Sequence, residues 1–233
     1  MLDPAGFHDK NFDKTSERLK KAGAWKKQRI CVIIPAGSMI PAQAALSHWN
    51  LMFPPNQQVV RILAQDMEVG AAYSGAIENI LGHPDLKDWE FILTVEHDNI
   101  LPCDAVLKLI ESLEAHPELS AVSGGYWTKG IGGVFQAWGD PNDPICNFRP
   151  LPPKPTGLLE CCGLGMGCCL FRTKIFHDKR LKRPFFRTLA SAESGLGTQD
   201  LSFWADARKY GYRCAVNCDV KVGHLDPKTG MVW

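Results

Sequence analysis

The feature that most restricts the fold is a repeated switch between two hydrophobic periods. Three short apolar runs, Ile30–Pro35, Val59–Ala64 and Phe91–Val95, are too short for packed helices, and each breaks off in turn-forming or polar residues. Between the second and third, Val69, Ala72, Tyr73, Ala76, Ile77 and Ile80 recur at helical spacing, with Gly82 placed as a C-terminal stop. After the third, Pro102 and Asp104 open a helix whose Val106, Leu107, Ile110 and Leu113 share a face, and Leu119–Ser123 returns to strand. Pro41–Phe53 carries helical spacing as well. Buried strands alternating with helices demand crossover connections. The predicted fold class is therefore α/β, with a mainly parallel central sheet covered on both faces.

The second half is more broken. Gly130–Pro155 is rich in turn residues, with a cluster at Gly139-Asp-Pro-Asn-Asp-Pro144, and reads as an insertion over the active face. Leu158–Arg172 contains a strand, a bend at Gly163-Leu-Gly165-Met-Gly167 and a second apolar stretch; no Lys-Ser/Thr follows, so the bend is no phosphate loop in its own right. Gly195-Leu-Gly197 leads to Thr198, placed as N-cap of a helix through Tyr210 that Gly211 stops. A strand over Tyr212–Val216 follows, then Val220–Asp226 with His224. The expected organisation is a polar arm over residues 1–28, one catalytic domain over 29–226 and a short tail over 227–233.

With 233 residues and 45% hydrophobic content the chain can bury one sizeable core. A formal net charge of +1 leaves no global field to attract nucleic acid or membrane. Basic residues do cluster, at Lys10–Arg29 and again at Arg172, Lys174, Lys179, Arg180, Lys182, Arg183 and Arg187, where they form either a solvated face or a contact for an anionic acceptor. No apolar stretch approaches the roughly 20 residues needed to span a bilayer, and a cytoplasmic location is expected. Nine cysteines, an odd number, point to reduced thiols. The pairs Cys161-Cys162 and Cys168-Cys169, with Cys214 and Cys218, do not repeat a zinc-knuckle spacing.

The chemistry concentrates where Phe91–Val95 ends in Glu96-His97-Asp98-Asn99. Glu96 and Asp98, two residues apart, point the same way at the carboxyl end of a strand, which is where open α/β sheets bind ligands. Two hard oxygen donors suit Mg2+ or Mn2+ and, through the metal, a diphosphate; a simple turn opened by Asp98 or Asn99 is the alternative. His97 points to the opposite side of the strand. Asp200 falls in a helix's first turn, where the dipole favours the ionised carboxylate that a base requires.

Four features in order, Ile30–Pro35, Glu96-His97-Asp98, Gln199-Asp200-Leu-Ser-Phe203 and late His224, resemble the GT-A fold glycosyltransferases of the large family 2 type, over roughly Arg29–Asp226. The resemblance implies a Rossmann-like three-layer sandwich and a metal-dependent transfer of sugar from a nucleotide-diphosphate donor, UDP-sugar favoured, to an acceptor hydroxyl. It places Asp98 and His224 as metal ligands, with Glu96 on the metal's water shell or the ribose. It places Asp200 as the base of an inverting displacement beside Gln199, which stands where the family has Glu. Pro35, Ala36, Gly37 and Asp66 would hold the nucleotide, Trp127 and Lys129 would line the sugar or acceptor pocket, and the Gly165 bend matches the stretch before the catalytic helix. The acceptor is open, a glycan or a nucleic acid bearing a hydroxylated base. A nucleotidyltransferase and a catalytically silent nucleotide-sugar binding protein are the alternatives.

Overall fold

The structure, a computed structural model, describes residues 26–143, 147–188 and 198–233. The expected N-terminal arm up to residue 25, Pro144 of the turn cluster, and Gly195 and Gly197 lie outside the described residues. In chain order the elements are β1 (Ile30–Ala36), α1 (Ala42–Trp49), β2 (Val59–Gln65), α2 (Val69–Gly82), β3 (Phe91–Val95), β4 (Asn99–Ile100), α3 (Ala105–Ala115) and β5 (Leu119–Gly125). They continue as β6 (Ala137–Trp138), β7 (Leu158–Cys161), β8 (Gly163–Leu164), β9 (Cys168–Arg172), α4 (Gln199–Ala207), β10 (Arg213–Lys221) and β11 (Gly223–His224).

Seven strands form one sheet in the order β2-β1-β3-β9-β5-β10-β7. Parallel pairing, as expected, joins β1 to β2 and β3 and joins β5 to β10. The sheet as a whole is mixed, because β9 runs antiparallel between β3 and β5 and β7 runs antiparallel at the β10 edge. Strands joined by helical crossovers must run parallel. The loop-rich insertion instead reverses the chain between β5 and β7, and the glycine bend returns it across the sheet so that β9 runs in the same direction as β7.

Alternation along the strands builds two cores. Cys31 and Ile33 of β1 and Phe171 of β9 share one with Tyr73, Ile77 and Ile80 of α2 and Phe203 and Trp204 of α4. Ile30, Val32, Leu93 and Leu170 share the other with Val106, Leu109 and Leu113 of α3. The result is the three-layer α/β arrangement that the resemblance implied. Glu68 caps α2 by accepting from the Ala71 N–H at 2.8 Å, which also fixes where the helix begins below the sheet edge.

Helix α4 is held by aromatic contacts rather than by propensity. Phe203 stacks on Phe186 at 4.7 Å and Trp204 on Phe171 at 5.9 Å. Thr198 does occupy the N-cap position, but its side chain makes no capping bond. The helix tightens into a 3-10 turn over Arg208–Tyr210 and stops at Gly211, whose φ of 82° is the left-handed stop expected there.

Residues 227–233, expected as a tail, fold back on β11. The His224 N–H and carbonyl both pair with Trp233 at 3.0 Å, and Leu225 bridges Val232. Among the described residues no helix is long and apolar enough to cross a membrane. Cys161, Cys168, Cys169 and Cys214 are buried free thiols, Cys162 is buried beside them in sequence, and no cysteine joins a candidate metal group among the described residues.

Candidate metal centre and its surroundings

The topology delivers the predicted residues to one sheet edge. Strands β1, β2, β3, β5 and β10 all end there, and β9, running the other way, begins there. The register Ile33↔Thr94 brings Glu96 level with Pro35. The register Ala36↔Gln65 sets Asp66 beside Gly37, and the Asp66 N–H donates to the Ala36 carbonyl at 3.0 Å. Asp66 takes a φ of 53°, a left-handed conformation that Asp tolerates better than most residues and that ends β2 abruptly. Pro35 and Ala36 are buried, whereas Gly37 and Asp66 are exposed at the rim.

Glu96, Asp98 and His224 come together, each offering a ligand atom within 4.8 Å of the others. His224 arrives through β11, which pairs with β4 immediately after Asp98 in the register His224↔Asn99. Its Nδ1 lies 2.9 Å from the Trp127 carbonyl, which can only accept, so in the neutral ring the proton sits on Nδ1 and the lone pair on Nε2. Nε2 faces Asp98 Oδ1 at 3.7 Å, too long for a hydrogen bond. A backbone-oriented imidazole beside two carboxylates is the donor arrangement a divalent cation takes, with the second-layer partner already in place. The chain's own residues therefore fit the metal that the resemblance implies.

Burial opposes the Asp98 carboxylate, but His224 and Lys129 beside it outweigh burial and hold its pKa well below the usual carboxylate range. Glu96 goes the other way. Burial first, then the charges of Asp98 and Asp200, push it up to about 7. The two acids that look alike in sequence are thus in different states near neutrality. His97 lies outside the group and lines a separate cavity with Met39, Ile40 and Leu225.

Lys129 makes an ion pair with Asp98 Oδ2. It reaches there from a hairpin closed by the Trp127–Phe135 bridge, in which the Thr128 N–H donates to the Val134 carbonyl at 2.9 Å. Trp127 packs edge-on against Phe135 at 5.5 Å and is 42% exposed beside the site.

Asp200 is buried in the first turn of α4, and its Oδ1 accepts from the Leu201 N–H at 2.9 Å. Burial raises its pKa in spite of that bond and one from Thr198, so the dipole that was expected to keep it ionised is outweighed. It lies close enough for its charge to be felt by Glu96 and by Tyr73. Gln199 is half-buried against Gly70 of α2, where an added Cβ would stand 3.3 Å from the Gln199 Cβ.

Tyr126, which sequence reasoning left without a role, and Asn99, which it offered only as a turn residue, complete the surroundings. Tyr126 lies edge-on to His224 at 5.8 Å and accepts from the Gly167 N–H at 2.9 Å. Asn99, fully buried, lends its carbonyl to His48 Nε2 at 2.9 Å and anchors the turn that carries Asp98. Gly165 and Gly167 are buried against these two side chains, so the glycine bend makes room for them. The string Gly124-Gly-Tyr-Trp127 at a strand end was the available signal for Tyr126.

No protein-family model matches this chain, and no curated protein matches it. Among solved structures, the crystal structure of A197 from STIV matches with a TM-score of 0.59 at 16% sequence identity, covering 88% of this chain and 92% of that one. What the two share is the fold. The α/β architecture expected from the resemblance extends over nearly the whole of both chains.

Proposed function

We propose that the protein is a metal-dependent glycosyltransferase that moves a sugar from a nucleotide-diphosphate donor, UDP-sugar favoured, to an acceptor hydroxyl. The observation that carries this reading is the Glu96, Asp98 and His224 group at a sheet edge that also presents Asp200. Asp98, His224 and Glu96 would hold Mn2+ or Mg2+, and the mixed oxygen and nitrogen donor set favours Mn2+. The metal, when bound, supplies counter-charge for the departing diphosphate.

The chain's own residues do the rest. Pro35, Ala36 and Gly37 pack the nucleoside and Asp66 contacts its edge. Trp127 offers its partly exposed ring to a sugar. Asp200 accepts the proton of the acceptor hydroxyl as its oxygen bonds to the anomeric carbon and the diphosphate leaves, inverting that centre. Burial, which raises its proton affinity, suits it to the step. Gln199 fixes the position of α4 against α2, and Gly165 keeps space for Tyr126.

The test is a pair of variants. Asp98→Ala is expected to abolish Mn2+-dependent binding of UDP in calorimetry, while Asp200→Asn keeps that binding and loses transfer by at least about a hundredfold. Transfer at the normal rate by Asp200→Asn would remove the base assignment. Metal-dependent donor binding without turnover on any acceptor, glycan or hydroxylated nucleic acid, would instead favour a silent binding protein. Release of pyrophosphate from a nucleoside triphosphate would favour a nucleotidyltransferase.

A further inference from the structure

Lys129 sits on the carboxylate that the metal reading needs. Its ammonium pairs with Asp98 Oδ2, while the other oxygen of the same carboxylate faces His224. Asp98 is buried and Lys129 about a third exposed, so water screens the pair only partly. A divalent ion bound by Asp98, Glu96 and His224 would lie within one carboxylate's width of this ammonium. Like charges that close, in a site this sheltered, oppose each other strongly.

The segment that carries Lys129 is built to move. Gly130 and Gly132 take φ values of 98° and 79°, and a Cβ added at either would touch nothing within 4 Å. Ile131 between them is fully exposed. The loop is closed locally, by the Gly133 N–H on the Gly130 carbonyl at 3.0 Å and the Val134 N–H on Thr128 Oγ1 at 2.7 Å. Apart from the ion pair to Asp98, the side-chain tie between the tip and the body among the described residues is at its base, where Gln136 Nε2 donates to the Val134 carbonyl at 3.0 Å. A few local bonds and no buried apolar contact describe a segment of low local stability.

We propose that Lys129 and a divalent cation are alternative occupants of Asp98, so that metal entry expels Lys129 and swings the Thr128–Val134 tip away from the site. The proposal rests on the metal reading above and adds its control. In the metal-free protein Lys129 neutralises Asp98; once displaced, it remains on the rim as a free cation available to an anionic donor.

Calorimetric titration with Mn2+ of the wild-type protein, Lys129→Met, Lys129→Arg and Asp98→Ala tests this, with circular dichroism confirming that each is folded. Lys129→Met should bind Mn2+ about tenfold more tightly than wild type, the worth of one partly sheltered charge-assisted contact. Lys129→Arg, which keeps the competing charge, should stay near wild type. In wild type, Mn2+ should speed hydrogen exchange at the Gly133 and Val134 amides, and in Lys129→Met it should not. Equal or weaker Mn2+ binding by Lys129→Met, with Asp98→Ala still abolishing binding, overturns the exchange and leaves the metal reading standing. Mn2+ binding that Asp98→Ala does not reduce, or its absence from all four proteins, overturns both.

Discussion

Glu96 and Asp98 show how far one residue's surroundings can separate two identical functional groups. Both carboxyls sit at the end of β3, but only at Asp98 do the neighbouring side chains, His224 and Lys129, outweigh burial. Glu96, pushed up to about 7, binds a proton over much of the physiological range. A protonated carboxyl cannot ligate a metal, so Mn2+ affinity should rise roughly tenfold per pH unit below about 7 and level off above it, as calorimetry across that window would read. The same shift acts on the metal-free protein in the opposite sense. The folded state holds this proton more tightly than the unfolded chain, so stability should decline as pH climbs from the ordinary 4.5 through about 7. Glu96→Gln should flatten both profiles. Asp98 does not blur this window, because its depressed pKa contributes stability that is lost only in stronger acid.

At the scale of elements, the site depends on a bend that contains no ligand. A Cβ on Gly167 would stand 2.7 Å from Asn99 Oδ1 and 2.8 Å from Tyr126 Cζ, and both side chains are buried and have nowhere to go. Gly167→Ala should therefore cost about 1–3 kcal/mol in a denaturant titration, as overpacking does, and should weaken Mn2+ binding by moving the supports of Asp98 and His224. Ordinary stability with unchanged metal affinity would show that the bend yields. Strand ends were legible in sequence because an apolar run must stop where the sheet stops, which is why Glu96, Asp98 and Asp66 fall at the edge where they were expected. The orientation of β9 was not legible, since Cys168–Arg172 is apolar on both faces whichever way it runs. Nor was the pairing of Lys129 with Asp98, which arises from a hairpin that folds across the site and leaves no periodic trace in Thr128–Val134.

For the molecule as a whole, charge and thiols are settled mostly inward. Three arginines of the basic stretch that begins at the end of β9 are spent on its own surroundings: Arg172 donates to the Leu113 and Leu119 carbonyls, Arg180 pairs with Asp178 at 2.6 Å, and Arg183 pairs with Glu78 at 2.5 Å. Of the described cysteines, Cys103 alone is exposed, and burial pushes the Cys31 and Cys168 thiols up to about 12. An alkylating reagent should accordingly label Cys103 in the native protein and reach Cys31, Cys161, Cys162, Cys168, Cys169 and Cys214 only after denaturation, as peptide mapping by mass spectrometry would show. The place of β9 in the sheet bears on how this chain assembles. Among the described strands it is the one bonded to both β3 and β5, and so it stitches the N-terminal trio of strands to the C-terminal group. During synthesis β3 must wait with an open edge while more than seventy residues emerge, as the interval from Val95 to Cys168 requires. Ribosome-bound chains ending before β9 should expose that edge to chaperones or to one another, and chains that include it should bury it.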